Sequence, residues 1–203
     1  MGIQVVADGQ PCDYLVAPQL LRTVKFLRNL SKGATVVSSE WIERCLDTKS
    51  ALDPDDFILK DKENEKKFGL SLQTSVERAR KNKGTLLRGV PIYCTATIKN
   101  GTESFRAIAE ANGALFMVYG PRSGSTIKPT KPEEDEGGPE PVYLLSTTSP
   151  DEKKLWKKFE AMAQRGNMEP RVVAVDWLLD VVMKQENKFA EKYLVSNFFD
   201  AGS

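Results

Sequence analysis

Apolar positions in this chain alternate between short strand-length runs and longer stretches at helical spacing. Residues 3–6 (Ile-Gln-Val-Val) form a short run stopped by Ala7-Asp8-Gly9, and Tyr14-Leu15-Val16 forms another stopped by Pro18; both predict strands. From Gln19 the period changes. Leu20, Val24 and Leu27, with Leu21 and Leu30 beside them, fit a helix that ends at Gly33, where a left-handed residue is wanted. The β-branched run 34–37 predicts a strand, and Ser38 or Ser39 caps a helix bearing Trp41, Ile42 and Cys45. Residues 48–84 carry Pro54 and many charges, so they read as a connector, with a linker helix over 70–82 (Leu72, Val76, Ala79). The alternation then restarts. Strands are predicted at 86–87, 92–94, 115–118, 142–145 and 172–175. Helices are predicted from Thr102, from Pro150-Asp151 to Gln164, and from Asp176 to Gln185.

These elements predict an α/β protein of two repeats: residues 1–50, a linker with a helix at 51–84, and residues 85–203. Each repeat ends in the same grammar, an apolar strand, a polar cap and a Trp-bearing helix: Val36-Val37-Ser38-Ser39-Glu40-Trp41, and Val172-Val173-Ala174-Val175-Asp176-Trp177. Parallel strands need crossover helices, so each repeat is expected to be a small parallel sheet flanked by helices. Trp41 and Trp177 are read as core anchors. The Gly-, Pro- and acid-rich stretch 120–141, with its charges at 133–136, is expected to be a mobile surface loop.

Composition narrows the chemistry. The 203 residues carry a net charge of +1, so any anion must be bound by a local pocket. There is no histidine, which removes Ser-His-Asp and Cys-His nucleophilic machinery and every His-ligated metal. Cys12, Cys45 and Cys94 are scattered and odd in number, against a disulfide framework or zinc site and in favour of a reducing compartment. No apolar run reaches the roughly 18 residues of a membrane span, and no glycine-rich phosphate loop follows a strand. Neither an enzyme nor a cofactor or metal is expected, and the chain is read as soluble and without a membrane partner.

The repeated Trp motif resembles the BRCT family, whose last helix carries a buried Trp followed four positions on by a small residue. Trp41 to Cys45 fits; Trp177 to Val181 fits with Val in place of the small residue; Asn112-Gly113-Ala114 resembles the family's glycine turn. The stretch Leu21-Arg22-Thr23-Val24-Lys25-Phe26-Leu27 is similar to the second helix of the first repeat in tandem BRCT pairs that read phosphoserine peptides. The resemblance implies two four-stranded parallel repeats, the first lacking its opening strand and helix, with the family's hydroxyl phosphate ligand falling before residue 3. It also implies roles: Lys25, supported by Thr23, for phosphate; Arg22 for peptide main chain or a carboxylate; Leu27, Lys99, Asn100 and Leu179 for a specificity pocket. Lys99 and Asn100 depart from the apolar residues of that pocket and suggest a smaller or more polar one, or one that reads a terminal carboxylate.

The residues carry the same chemistry by themselves. Arg22 and Lys25 sit at i, i+3 spacing near the start of a helix, with Asn29 extending their face, where the dipole and free N–H groups favour an anion. Lys offers a point charge and Arg a planar fork; a plain solvated helix face is the other reading of that spacing. The expectation is therefore a nuclear, monomeric module of a larger DNA-damage-response protein. Its partner would be a phosphorylated protein, a phosphorylated histone tail being one candidate. The competing reading is a phosphate-independent BRCT scaffold. Arg78, Arg80, Lys81 and Lys83 form a basic cluster, read as a linker-helix end or import signal rather than a nucleic-acid surface.

Overall fold

A computed structural model describes residues 2–7, 9–124, 126–128 and 139–200. The chain divides into two compact units, residues 1–86 with 180–186, and residues 87–179 with 187–203.

In the first unit, β1 (Tyr14–Ala17) pairs in parallel with β2 (Thr35–Ser38), Tyr14 opposite Thr35 and Ala17 opposite Ser38. The crossover is α1 (Val24–Ser31), started by Thr23, whose hydroxyl accepts from the Phe26 amide at 3.3 Å. The helix therefore begins four residues later than the apolar spacing suggests, and Arg22 lies before it. It ends at Gly33, which is left-handed (φ 83°) and so close to Arg80 that an added Cβ would lie 2.8 Å from that side chain. Helix α2 (Glu40–Thr48) follows, its Trp41 and Cys45 packed with Val37. The Trp41 indole N–H donates to the Leu52 carbonyl at 2.9 Å.

Residues 3–6 form no strand. Val5 is 91% exposed, so this segment lacks the partner that would satisfy a ladder. The sheet of this unit has two strands among the described residues.

Residues 51–59 are part of the first repeat rather than a connector. After a 3-10 turn at Pro54–Phe57, Ile58 bridges Val37 antiparallel and the Leu59 amide donates to the Val36 carbonyl at 2.9 Å. Two helices come next, α3 (Lys62–Phe68) and α4 (Leu72–Asn82). The second matches the expected linker helix and buries Leu72, Val76 and Ala79. The first was not legible from periodicity because Lys-Glu-Asn-Glu-Lys-Lys has no apolar stripe. Its caps were there to read: Asp61, accepting from the Asn64 amide, and left-handed Gly69. Residues 180–186 complete the unit through Gln185, whose amide group reaches the Ser31 hydroxyl at 3.5 Å and whose carbonyl accepts from Asn82 at 3.2 Å. Arg78 pairs with Glu186 at 3.1 Å, and Arg80 bonds the Gly33 carbonyl at 3.2 Å and the Thr35 hydroxyl. Half of the basic cluster is thus engaged in packing.

The second unit holds β3 (Pro91–Thr95), α5 (Thr102–Glu110), β4 (Leu115–Tyr119), β5 (Pro141–Ser146), α6 (Lys153–Arg165), β6 (Glu169–Ala174) and α7 (Asp176–Lys184, shared with the first unit from Asp180). Its four strands are all parallel in the order β4-β3-β5-β6. The predicted strand at 86–87 is a turn: the Leu87 and Gly89 amides donate to the Asn112 and Gly113 carbonyls at 2.7 and 3.1 Å. Trp177 has no exposed surface and stacks on Tyr143, ring centroids 3.8 Å apart.

The end of this unit repeats the end of the first. Leu194 bridges Val173 antiparallel and the Val195 amide donates to the Val172 carbonyl at 3.0 Å, as Ile58 and Leu59 do to Val37 and Val36. Half of the expected loop at 120–141 (residues 125 and 129–138) falls outside the described residues. Where it is described it is anchored, with Ile127 buried, its amide bonded to the Met162 carbonyl at 3.2 Å, and no room for a Cβ at Gly166 beside it.

Candidate functional site

The start of α1 is fixed from below by α3. The Asp61 carboxylate accepts from the Leu20 amide at 2.8 Å and from the Asn64 side chain at 2.8 Å. The Asn64 side chain first, and then the Leu20 amide, hold its carboxyl below the usual aspartate value. This pins the segment that presents Arg22. The Arg22 guanidinium pairs with the Asp180 carboxylate and lies over the Phe68 ring, 4.6 Å from its centroid. Arg22 is thus held before any ligand arrives, with 24% of its side chain still exposed.

Thr23 and Lys25 are exposed at the helix start. The Thr23 hydroxyl is used as a cap, so it acts on the helix end rather than on Lys25. Lys25 lies in the first turn, and together with Lys32 it partly offsets the burial that raises the Cys12 thiol. Those two lysines therefore share one local field beside residues 9–13, where the Lys32 ammonium donates to the Gly9 carbonyl at 2.8 Å. Asn29 does not extend the face. It is buried, donates to the Lys25 carbonyl at 2.8 Å and accepts from the Cys12 thiol at 3.3 Å.

The residues expected to form a specificity pocket have different environments. Leu27 is fully buried in the first unit. In the second, Lys99 and Asn100 are exposed in a turn where Asn100 is left-handed (φ 74°), and Leu179 is half-buried. The residues that sequence reasoning missed are the supports of Arg22. Asp180 lies 158 positions away and Phe68 ends a helix without an apolar stripe, so no local pattern announces either. Among the described residues no group of three or more His, Cys, Asp or Glu side chains could hold a metal, and no helix is long and apolar enough to cross a membrane.

Two units, each closing a parallel sheet with a Trp-bearing helix and an antiparallel bridge, have the fold of tandem BRCT domains, which this chain resembles. A family model for the BRCT domain of Regulator of Ty1 transposition protein 107 matches residues 1–59, the stretch that the Leu59 bond closes. BRCT-containing protein 1 of Schizosaccharomyces pombe is 27% identical over 191 residues, 92% of this chain and 21% of that protein. Human Mediator of DNA damage checkpoint protein 1 is 32% identical over 123 residues, 61% of this chain and 6% of that protein. The chain therefore spans about a fifth or less of the length of these relatives.

Among solved structures, the BRCT5-BRCT6 domains of S. pombe Brc1 superpose with a TM-score of 0.67 at 27% identity, covering 89% of this chain and 84% of that one. Rtt107p in complex with a phosphorylated histone superposes with a TM-score of 0.66 at 17% identity, covering 94% of this chain and 78% of that one, and shows the shared fold.

Proposed function

We propose that this chain is a phosphopeptide-reading scaffold module of a nuclear DNA-damage-response protein, without enzymatic activity, whose partner is a phosphorylated protein such as a histone tail. The observation that carries this reading is the exposed Lys25 in the first turn of α1, three positions after an arginine whose guanidinium is paired with Asp180. A phosphate there meets a mobile point charge at the positive end of the helix dipole. Arg22 is the candidate for a peptide carbonyl or terminal carboxylate, and its pairing with Asp180 reduces the entropy lost on such a contact. Thr23 contributes by capping the helix. Of the four residues expected to read the positions after the phosphate, Lys99, Asn100 and Leu179 keep exposed surface and are the candidates, while the buried Leu27 serves the core. The relatives support the partner class: one is by name a mediator of the DNA damage checkpoint, and a structural neighbour was solved with a phosphorylated histone.

The test is a titration with matched phosphorylated and unphosphorylated peptides, each with a free or amidated C-terminus, at one salt concentration because salt screens these charges. Phosphorylation should tighten binding, and amidation should weaken it less in Arg22→Ala than in the parent. Equal affinity for both peptides would leave the phosphate-independent scaffold reading in its place.

A further inference from the structure

The second unit contains an oxyanion cradle away from α1. Its sheet order β4-β3-β5-β6 means that the chain leaves β3 toward one edge and β5 toward the other. The two crossovers therefore part outside the C-terminal ends of β3 and β5, the switch point at which open α/β sheets bind ligands. Converging on it are the hydroxyl of Thr95 at the end of β3, that of Thr97 just beyond, that of Ser146 at the end of β5, and the Thr147 amide. All four donate to one group, the carboxylate of Glu152, which immediately precedes α6 and is 5% exposed. Thr95 reaches it at 3.3 Å and the Thr147 amide at 3.1 Å. The Trp156 indole N–H donates to the Ser146 oxygen at 2.6 Å, and the Ser146 proton faces the Glu152 carboxylate, with the Thr147 carbonyl at 3.2 Å as its other acceptor.

Three hydroxyls and a backbone amide at a helix start are the donor set that proteins use for phosphate and other oxyanions. A carboxylate so buried must have its lone pairs satisfied, and here neutral donors supply that. Burial alone would raise the Glu152 carboxyl, but the bonds from Ser146, Thr97 and Thr147 more than offset it and keep the group ionised.

We propose that Glu152 is a built-in oxyanion: the strand-end cradle of the second unit is an anion-binding site filled by the chain's own carboxylate. The second unit is thereby closed to phosphate, and the chain offers external phosphate one site rather than two. Removing the carboxylate opens the cradle to a small oxyanion such as formate or inorganic phosphate. The stoichiometry rests on the phosphopeptide reading above; the rescue described next does not.

The experiment uses the full chain with Glu152→Ala and Glu152→Gln, melted in sodium formate, sodium phosphate or sodium chloride at matched ionic strength. Glu152→Ala removes the shared acceptor of the Thr95, Thr97 and Ser146 hydroxyls and should melt roughly 5–10 °C below the parent. Formate or phosphate should recover at least half of that drop, while chloride does not. The parent should show no such preference, nor should Glu152→Gln, whose amide still fills the space. A folded Glu152→Ala indifferent to the anion, or a parent that responds as strongly, overturns the proposal. If Glu152→Ala is unfolded at ambient temperature, refolding yield is compared instead. A higher yield in formate supports the proposal and equal yields overturn it. A parent that binds no phosphopeptide while Glu152→Ala is still rescued sinks the phosphopeptide reading and leaves the cradle standing.

Discussion

The helix starts of α1 and α6 occupy the same step of the repeated β-α-β grammar, yet they are built with opposite electrostatics. Helix α1 begins with a short hydroxyl cap, Thr23, and turns an exposed lysine outward at its second position. Helix α6 begins after Glu152, whose long side chain turns back to fill the cradle at the ends of β3 and β5. The corresponding lysine, Lys154, is exposed as well. A basic residue in the first turn therefore does not by itself make an anion site. What differs is whether the nearby donors are already occupied, a difference that packing decides and the lysine does not reveal.

The two tryptophans test how far the units are alike, and their replacement should give the largest effects. Trp177→Ala should cost about 3–5 kcal/mol, toward the upper end because this ring has no exposed surface and stacks on Tyr143. Trp41→Ala should cost less, near the lower end of about 3 kcal/mol, because Trp41 sits in a small cluster and keeps 7% of its surface exposed. Denaturant unfolding of both variants checks the order, and a reversed order would break the equivalence of the two anchors.

Acid should separate the units next. Glu152 in the second unit is held below its ordinary value of 4.5, as are Asp61 and Glu65 in the first, from 3.8 and 4.5. A carboxyl with a depressed folded value contributes stability that is complete above its unfolded value and is lost as pH falls through the folded one. Below about pH 4.5 the parent should therefore lose melting temperature faster than Glu152→Gln, which keeps the contributions of Asp61 and Glu65 but not that of Glu152. Parallel pH profiles would mean that Glu152 is not held as an anion.

Ligand discrimination should distinguish the two lysines. Lys25→Met should remove about 1.5–3 kcal/mol of the preference for phosphorylated peptide, roughly ten- to a hundredfold, with an unchanged melting temperature. Lys154→Met should leave that preference intact. If both variants, or neither, lose discrimination in a peptide titration, the contrast between the helix starts is not the basis of recognition. The smallest effect is expected at Asp180→Asn. Arg22 keeps its place over Phe68, so loss of the partly exposed pair should cost about 0.2–1 kcal/mol in stability. Its signature would be a weaker response to the peptide's C-terminal carboxylate.

Much of this protein is settled locally and so was readable in the chain. Leu72, Val76 and Ala79 at helical spacing, the β-branched run before Trp41 and the matching run before Trp177 set the helices, strands and repeat, because burying an apolar face leaves each element few alternatives. The Arg-Thr-x-Lys sequence placed Lys25 at a helix start because that depends only on a hydroxyl cap and the residues following it. Tertiary structure decided what local pattern cannot encode. Residues 3–6 have strand composition but form no strand, since a strand exists only with a partner. Residues 51–59 read as a polar linker but close the first repeat, because the Leu59 bond to Val36 joins positions far apart in sequence. Asn29 turns inward to Cys12, Arg22 is held by Asp180, and Glu152 is caught by hydroxyls from two strands; each is a long-range polar contact fixed by geometry rather than by hydrophobic period. Hydrophobic pattern chooses the elements, and the satisfaction of buried polar groups, possible only once the elements meet, chooses which polar side chains turn inward and which stay exposed.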